Sequence, residues 1–233
     1  MIPIVVLASG RGSNFEALQK AIEHHQLNAK IQAVVSDRPE ALVLEKAQQL
    51  GIPALAVPLP LEGDSTRSRR QKHEALILDK LKVFSPKFLV LAGYMRILTP
   101  SFIEAFRSDR GYSRVVNIHP SLLPAFAGTH AYAQAFRAGV KVTGVTVHLV
   151  EPDVDTGPIC AQESFSISDC QSESEVEKRG FAVEHRLYPE TLSWVLSEEF
   201  VFRDQKIFRN RSWGEVRGER MMQPKEGPYA CQN

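Results

Sequence analysis

The sequence predicts an α/β protein with a doubly wound, mostly parallel sheet and antiparallel additions at one edge. Three observations support this fold class. Short apolar runs alternate with amphipathic segments along the first half of the chain, which is the pattern of repeated strand–helix units. Most of those runs are apolar at consecutive positions, as in strands buried on both faces of a parallel sheet. After Pro120 the pattern changes to alternation, which is typical of strands with one solvated face.

The strands and helices before Pro120 follow from apolar runs and capping signals. The first predicted helix has its apolar residues on one face, and Ser13 or Asn14 is placed to cap it. Thr99 followed by Pro100 has the form of an N-cap and a proline at the first helical position, which predicts a fourth helix. The predicted strands are residues 4–7, 31–35, 54–57, 88–91 and 115–118, and the other helices are residues 15–24, 40–50 and 69–81.

The second half of the chain adds antiparallel strands and a long helix. Residues 143–150 alternate, and residues 158–167 are the predicted partner strand. Residues 173–196 have helical periodicity, and Pro189 is expected to kink or split that helix. A hairpin turn is predicted at residues 203–205, between two short aromatic runs.

The domain organisation is predicted as a single domain over residues 1–210 and a loosely ordered C-terminal tail over residues 211–233. From about Trp213 onward the chain loses its periodicity and gathers glycine, proline and charged residues. Such a composition does not bury enough apolar surface to order a segment.

Composition excludes several functional classes. The 233 residues carry 28 Lys and Arg against 27 Asp and Glu, so the chain lacks the basic bias of proteins that bind nucleic acid mainly by charge. Cys160, Cys170 and Cys231 are widely spaced with no CxxC pair, which disfavours a zinc ribbon or a disulfide framework and predicts reduced thiols in the cytoplasm. No signal peptide and no apolar stretch of ~18 residues is recognisable, so we expect no membrane span.

The segment SGRGSN (residues 9–14) follows the first strand and opens the first helix. Its glycines permit tight or positive-φ turns, and the N–H groups of Gly12, Ser13 and Asn14 would point with the helix N-terminus at an anion. Phe15 stands where the dinucleotide fingerprint has its third glycine, and the Gly-Lys-Ser/Thr of a Walker loop is absent. The segment therefore favours a single phosphate over a dinucleotide or a nucleoside triphosphate. A plain strand-to-helix turn is the alternative.

A second candidate lies at the carboxyl end of the predicted fifth strand, where open parallel sheets bind ligands. Strand alternation places Asn117 and His119 on the same face, ~6–7 Å apart along the backbone. An amide donor and a titratable imidazole at that point could hold an oxyanion or move a proton. A structural histidine with satisfied hydrogen bonds is the alternative for His119.

A third candidate is the turn-rich loop over residues 151–158. Asp153 or Asp155 could approach His119 and favour its protonated form through charge proximity. For Asp153 we favour ordinary Asx-turn chemistry. The spacing alone does not bring Asp155 to His119.

Other polar residues carry less weight. His130 and His148 occur in the same region without the spacing of a metal cage. Ser121 lacks a nucleophile elbow, which disfavours a serine hydrolase. The basic run over residues 67–72 is typical of a solvated helix start, although one arginine could bind a ligand carboxylate as an ion pair. Residues 93–98 could offer an apolar wall to a planar ligand or serve only as a packed connection.

Six segments together resemble one family. In chain order they are LASGRGSNFEAL, VVSDRPEALVLEKAQQLGIP, LAGYMRILTPSF, RVVNIHPSLLPAFAGTHAYAQAF, GVTVHLVEPDVDTGPICAQ and EHRLYPETLSW. They closely resemble the phosphoribosylglycinamide formyltransferases, which are folate-dependent enzymes of purine synthesis. NIHPSLLP is shared with other formyl-folate enzymes, whereas SGRGSN is more specific to the phosphate-binding branch.

The resemblance implies a Rossmann-like formyltransferase domain that moves a formyl group from 10-formyltetrahydrofolate to the amine of glycinamide ribonucleotide, on the route to IMP and without a metal. It implies that Asn117, His119 and Asp155 form the catalytic trio. It also implies that Glu184 holds the ribose hydroxyls. The residues implied for the substrate phosphate are Gly12, Ser13 and Asn14.

The resemblance also implies a folate site. Arg70 is expected to contact the folate, and Arg69 is its rival within the basic run. The residues implied for the pterin pocket are Met95, Arg96, Ile97 and Leu98, together with Asn117 from the catalytic trio.

Three other functions stay open beside this expectation. A formyltetrahydrofolate deformylase would share the trio but usually carries an extra N-terminal domain, whereas the first strand here begins at residue 2. A methionyl-tRNA formyltransferase should lack SGRGSN and append a basic C-terminal domain. A nucleotide-binding module without catalysis is the third. The expected partners are the two small-molecule substrates, with no nucleic acid and no membrane, in a monomer or a homodimer.

Overall fold

The computed structural model describes residues 1–61 and 65–210. In that part of the chain, strands and helices alternate from the N-terminus. The strands are β1 (Ile2–Leu7), β2 (Ala29–Ser36), β3 (Ala54–Ala56), β4 (Phe88–Leu91), β5 (Val115–His119), β6 (Val142–Leu149), β7 (Ile159–Ser166), β8 (Phe200–Arg203) and β9 (Lys206–Arg209). The helices are α1 (Ser13–Glu23), α2 (Leu42–Gln49), α3 (Thr66–Leu81), α4 (Pro100–Glu104), α5 (Ala131–Arg137) and α6 (Glu173–Val195).

Seven strands form one sheet in the order β3-β2-β1-β4-β5-β6-β7. The pairs from β3 to β5 are parallel, and β6 and β7 are added in antiparallel orientation. This arrangement confirms the predicted fold class. Because the strand order reverses between β1 and β4, the loops that follow these two strands leave a crevice at the carboxyl edge, where such sheets bind ligands.

Helices cover both faces of this sheet. On one face, α1, α2 and α6 bury side chains such as Phe15, Val43 and Leu192 against β1 and β2. On the other face, α3 and α4 bury Ile77 and Phe102 against β1 and β4. Each such fully buried side chain contributes about 1.5–3 kcal/mol to folding, so the sheet edge that carries the candidate site rests on a rigid support.

The start of α1 differs from the prediction. Gly12, at φ 77°, is the N-cap residue, and no side chain caps the helix. The expectation that Ser13 or Asn14 caps α1 was wrong. Asn14 instead directs its amide at α6, where Nδ2 donates to Glu184 Oε2 at 2.6 Å. The side chain of Asn14 therefore bonds to Glu184 on a distant helix and does not cap its own helix.

Pro189 does not split α6, which runs without interruption over 23 residues. Proline inside a helix removes one backbone hydrogen bond and costs about 3 kcal/mol. Burial of Leu187, Tyr188 and Leu192 on either side of it offsets that cost, because both halves of the helix pack on the same core.

The predicted hairpin is confirmed as β8 paired with β9. The short helix α5 was not predicted, because seven residues are too few to establish a helical period. The division into a domain over residues 1–210 and a tail stays a prediction, since residues 211–233 lie outside the described part of the chain. No helix in the described ranges is long and apolar enough to span a membrane.

Candidate active site

His119 ends β5 at the carboxyl edge of the sheet and is buried. Its Nε2 donates to the carbonyl oxygen of Phe126 at 3.0 Å. Its Nδ1 lies 3.4 Å from Asp155 Oδ2. Both ring nitrogens therefore face oxygen acceptors, which fixes the orientation of the ring at the sheet edge.

Asp155 is brought to His119 by the loop between β6 and β7. Its Oδ2 also accepts a hydrogen bond from the backbone N–H of Gly128 at 2.8 Å, and its Oδ1 lies 3.7 Å from Nε2 of His148. The backbone of Asp155 is left-handed, at φ 56°, a conformation that Asp tolerates better than most residues. The carboxylate therefore joins the β6–β7 loop to the segment after β5.

Asn117 is oriented by a second histidine. Strands β5 and β6 pair Asn117 directly with His148, and Asn117 Nδ2 lies 3.2 Å from His148 Nε2. Burial lowers the pKa of His148, and its Nδ1 donates to the carbonyl oxygen of Leu149 at 2.9 Å. Nε2 of the neutral ring is thus the acceptor, which leaves the second N–H of the Asn117 amide for a ligand.

The segment after β1 forms a tight turn into α1. Gly12 requires glycine for two reasons, because its φ is +77° and a Cβ there would lie 2.7 Å from Val43 Cγ2 on α2. The N–H groups of the first helical turn have no partner within a helix, and together with the helix dipole they attract an anion. Gly10 has no such constraint, since its Cβ would meet nothing within 4 Å.

Glu184 faces this turn from α6. Its Oε2 accepts from Asn14 Nδ2, and its Oε1 accepts from Tyr132 Oη at 2.7 Å. Burial raises the pKa of Glu184, and the two hydrogen bonds oppose that effect. The structure therefore places the residues predicted for the phosphate and for the ribose side by side.

The loop after β4 is fastened to the loop after β1. Ser9 Oγ donates to Asp37 Oδ1 at 2.5 Å and accepts from the N–H of Met95 at 2.9 Å. Arg96 Nε donates to Asp37 Oδ2 at 2.7 Å. Met95 and Ile97 are exposed, at 61% and 48%, as an apolar wall requires.

Leu98 differs from its neighbours because its side chain is buried in the core. Its side chain therefore does not line an open pocket, in contrast to the expectation for residues 95–98. Its backbone alone lies in the loop that follows β4.

The two arginines that compete for the folate differ in their contacts. Arg69 Nε donates to the carbonyl oxygen of Pro60 at 2.7 Å. Arg70 lies one turn before Glu74, which accepts from the N–H of Thr99 at 2.7 Å. Residues four apart share a helix face, so Arg70 lies on the face of α3 from which Glu74 contacts Thr99, whereas Arg69 is bonded to Pro60.

A groove of about 600 Å³ between α1 and α6 is lined by Lys20, His24 and Arg186, among others. Of the predicted site residues, its lining includes Ser13 alone. We therefore place the chemistry at the carboxyl edge of the strands rather than in this groove. Among the described residues, no three His, Cys, Asp or Glu side chains gather as metal ligands.

Sequence reasoning assigned no role to His148, Tyr132 or Asp37, each of which orients a predicted site residue. The β5–β6 register could have revealed His148, because it stands opposite Asn117. Tyr132 lies on the unpredicted helix α5, and Asp37 follows β2 without any motif. The roles of the predicted site residues themselves stay predictions.

Comparisons with known proteins agree with this geometry. A sequence model of the family described as "Formyl transferase" matches residues 2–192. The phosphoribosylglycinamide formyltransferase of Bacillus subtilis is 37% identical over 196 residues, which are 84% of this chain and 95% of that protein. The crystal structure of glycinamide ribonucleotide transformylase 1 from Symbiobacterium toebii has a TM-score of 0.80 at 35% identity, covering 89% of this chain and 93% of that one.

A formyltetrahydrofolate deformylase from Pseudomonas syringae is also similar, with a TM-score of 0.77 at 26% identity. The match covers 88% of this chain but 65% of the deformylase. The deformylase therefore contains a substantial part that has no counterpart in the matched region.

Proposed function

The chain belongs to the formyl transferase family, and from this membership we propose that it transfers a formyl group from 10-formyltetrahydrofolate to the primary amine of glycinamide ribonucleotide. One observation carries the proposal. Asp155 contacts His119, and His148 lies between Asp155 and Asn117 at the same sheet edge, in the fold that binds ligands at that edge.

The site residues divide between the two substrates. Gly12, Ser13 and Asn14 bind the phosphate through backbone N–H groups, and Glu184 accepts hydrogen bonds from the ribose hydroxyls. The folate lies against Met95 and the other residues of the loop after β4, with Arg70 pairing with a carboxylate. Ser9 and Asp37 hold this loop against the phosphate turn, which fixes the two substrates relative to each other.

The chemistry begins with the neutral amine, whose nitrogen attacks the formyl carbon. The carbonyl oxygen becomes an oxyanion, which protonated His119 and the free N–H of Asn117 stabilise. The bond from the formyl carbon to the folate nitrogen then breaks, and a proton from the attacking amine goes to that nitrogen. Tetrahydrofolate and the formylated amine leave.

The carbonyl oxygen of Phe126 occupies the Nε2 side of His119 in this structure. In the proposed reaction the formyl oxygen takes that place. The segment around Phe126 has positive φ at Phe126, Gly128 and His130, and such backbone costs of order 1–3 kcal/mol at each non-glycine residue. Because this segment is strained, the hydrogen bond between His119 and Phe126 can be replaced by one between His119 and the substrate at a modest cost in free energy.

Hydrolysis of the same formyl donor is the second candidate function, because the deformylase shares this fold at 26% identity. Water would then take the place of the amine as the nucleophile. A phosphate-binding turn at the same edge of the sheet as the trio favours transfer, because hydrolysis by water needs no phosphate site.

We expect formyl transfer in the presence of glycinamide ribonucleotide and almost no loss of the donor in its absence. The experiment follows tetrahydrofolate release by absorbance, with and without the amine substrate, and identifies the formylated product by mass spectrometry. Equal release without the amine would establish a deformylase. Binding of both substrates without release would establish a non-catalytic module.

The phosphate turn provides a paired test. Gly12→Ala places a Cβ against Val43 and in left-handed backbone, and the left-handed backbone alone destabilises the fold by about 1–2 kcal/mol. It should weaken binding of glycinamide ribonucleotide about tenfold or more because the N–H groups shift. Calorimetric titration measures the affinity.

Gly10→Ala is the matched control, since its Cβ meets open space in the same turn. We expect its substrate affinity to stay within about twofold of the wild type. Equal effects of the two substitutions would show that the phosphate does not bind at this turn.

The coarser statement about partners, that they are small molecules, follows from the family. The monomer or homodimer and the cytoplasmic location stay predictions. Sedimentation of the purified chain at several concentrations measures its oligomeric state.

A further inference from the structure

We propose that Tyr132 is a positioning residue for the substrate sugar, because its hydroxyl holds the Glu184 carboxylate in the orientation that receives the ribose hydroxyls. This inference rests on the proposed function. It adds a specificity determinant on α5, a helix that carries none of the residues implied by the family resemblance.

The carboxylate is held from two sides. Asn14 donates to Oε2 at 2.6 Å and Tyr132 donates to Oε1 at 2.7 Å. Each oxygen of a carboxylate has two acceptor sites, so one site on each oxygen is left for a ligand. A cis-diol such as that of ribose presents two neighbouring donors, which matches these two acceptors.

Tyr132 is itself fixed in place. It is buried, and its ring packs edge-on against Phe165 and Phe181 at centroid distances of 6.2 and 6.4 Å. A buried tyrosine with one rotamer delivers its hydroxyl at a defined point, so the position of the carboxylate follows from the packing of α5 on α6.

Gly180 makes room for this ring inside α6. A Cβ at position 180 would lie 2.1 Å from both Cζ and Oη of Tyr132. Glycine inside a helix is unfavourable relative to alanine. The space that the Tyr132 ring needs accounts for glycine at position 180 of α6.

The charge of Glu184 depends on the same contacts. Burial raises its pKa, Glu177 on the same helix adds to that effect, and the hydrogen bonds from Asn14 and Tyr132 lower it. Tyr188, also on α6, is a further titratable group near this carboxylate, and Glu184 helps to raise the pKa of its hydroxyl. Loss of the Tyr132 hydroxyl therefore raises the pKa of Glu184 further, and the neutral acid accepts the two sugar hydroxyls less well.

The test is Tyr132→Phe, which keeps the ring and removes the hydroxyl. We expect KM and the calorimetric Kd for glycinamide ribonucleotide to rise about 3- to 10-fold. We expect kcat and KM for 10-formyltetrahydrofolate to stay within about twofold. The loss of affinity on acidification should begin at a higher pH in the variant than in the wild type.

Tyr112→Phe is the matched control, because Tyr112 is also buried and donates to a glutamate, Glu198 Oε1, at 2.7 Å. Both variants lose a buried hydroxyl and some stability. A KM change in both, in neither, or in the folate KM alone would overturn the proposal. If the wild type neither binds nor formylates glycinamide ribonucleotide, the proposed function fails instead, and the two failures are therefore distinct.

A second pair of variants tests the contact with Gly180. Gly180→Ala should raise the same KM, because the ring must move. In the Tyr132→Ala background the steric conflict is gone, and Gly180→Ala should raise Tm by about 2–4 °C through helix propensity. A lower Tm in that background would show that Gly180 serves another purpose and would overturn this part of the proposal.

Discussion

Replacement of His119 by alanine is expected to lower kcat at least 100-fold while both substrates still bind. The imidazolium is one of two donors to the developing oxyanion, and the loss of one such donor costs about 2.7–4 kcal/mol in barrier, which is roughly 100- to 1,000-fold in rate. Because the interaction strengthens in the transition state, kcat falls and KM changes little. Single-turnover kinetics with pre-bound substrates measures the chemical step directly.

His73→Ala provides the control for the loss of a buried imidazole. His73 is buried as His119 is, and its Nε2 lies 2.6 Å from the carbonyl oxygen of Val57. Both substitutions are expected to lower the free energy of unfolding. A near-normal kcat in His119→Ala, or an equal loss of kcat in the two variants, would remove His119 from its proposed role.

The fold could be predicted from the sequence because its determinants are local. The parallel strands are continuous apolar runs, and β1 and β4 emerged within a few residues of their predicted bounds. The cap of α1 could not be predicted, because the alternative partner of Asn14 is Glu184, which lies 170 residues away along the chain. The persistence of α6 through Pro189 likewise depends on packing against the sheet.

The candidate site, like the fold, was predictable only where its residues are close together in the sequence. Strand alternation predicted that Asn117 and His119 share a face, since both belong to one strand. The approach of Asp155 to His119 depends on the return of the chain along β6, which pairs antiparallel with β5, and sequence spacing does not show this pairing. The carbonyl oxygen of Phe126 on Nε2 of His119 is a backbone contact of an irregular segment, and residue identity carries no signal for it.

Replacement of Asp155 by asparagine is expected to lower kcat at least as much as replacement of His119 by alanine. The Asp155 carboxylate lies 3.4 Å from His119 Nδ1 and accepts from the N–H of Gly128, so it positions His119 and the segment beside it. Asp155→Asn keeps the size of the side chain but removes the negative charge that faces His119 Nδ1. We expect kcat to fall roughly 100- to 10,000-fold, the range for a carboxylate that orients a catalytic histidine.

Asp153→Asn separates this role from a general effect of charge, because Asp153 lies two residues earlier in the same loop and is exposed. We expect its kcat to stay within about twofold of the wild type. Binding of glycinamide ribonucleotide should be unchanged in both variants, since neither carboxylate contacts Asn14 or Glu184. If Asp153→Asn lost as much activity as Asp155→Asn, the net charge of the loop would be the determinant. The contact of Asp155 with His119 would then have no special part in the reaction.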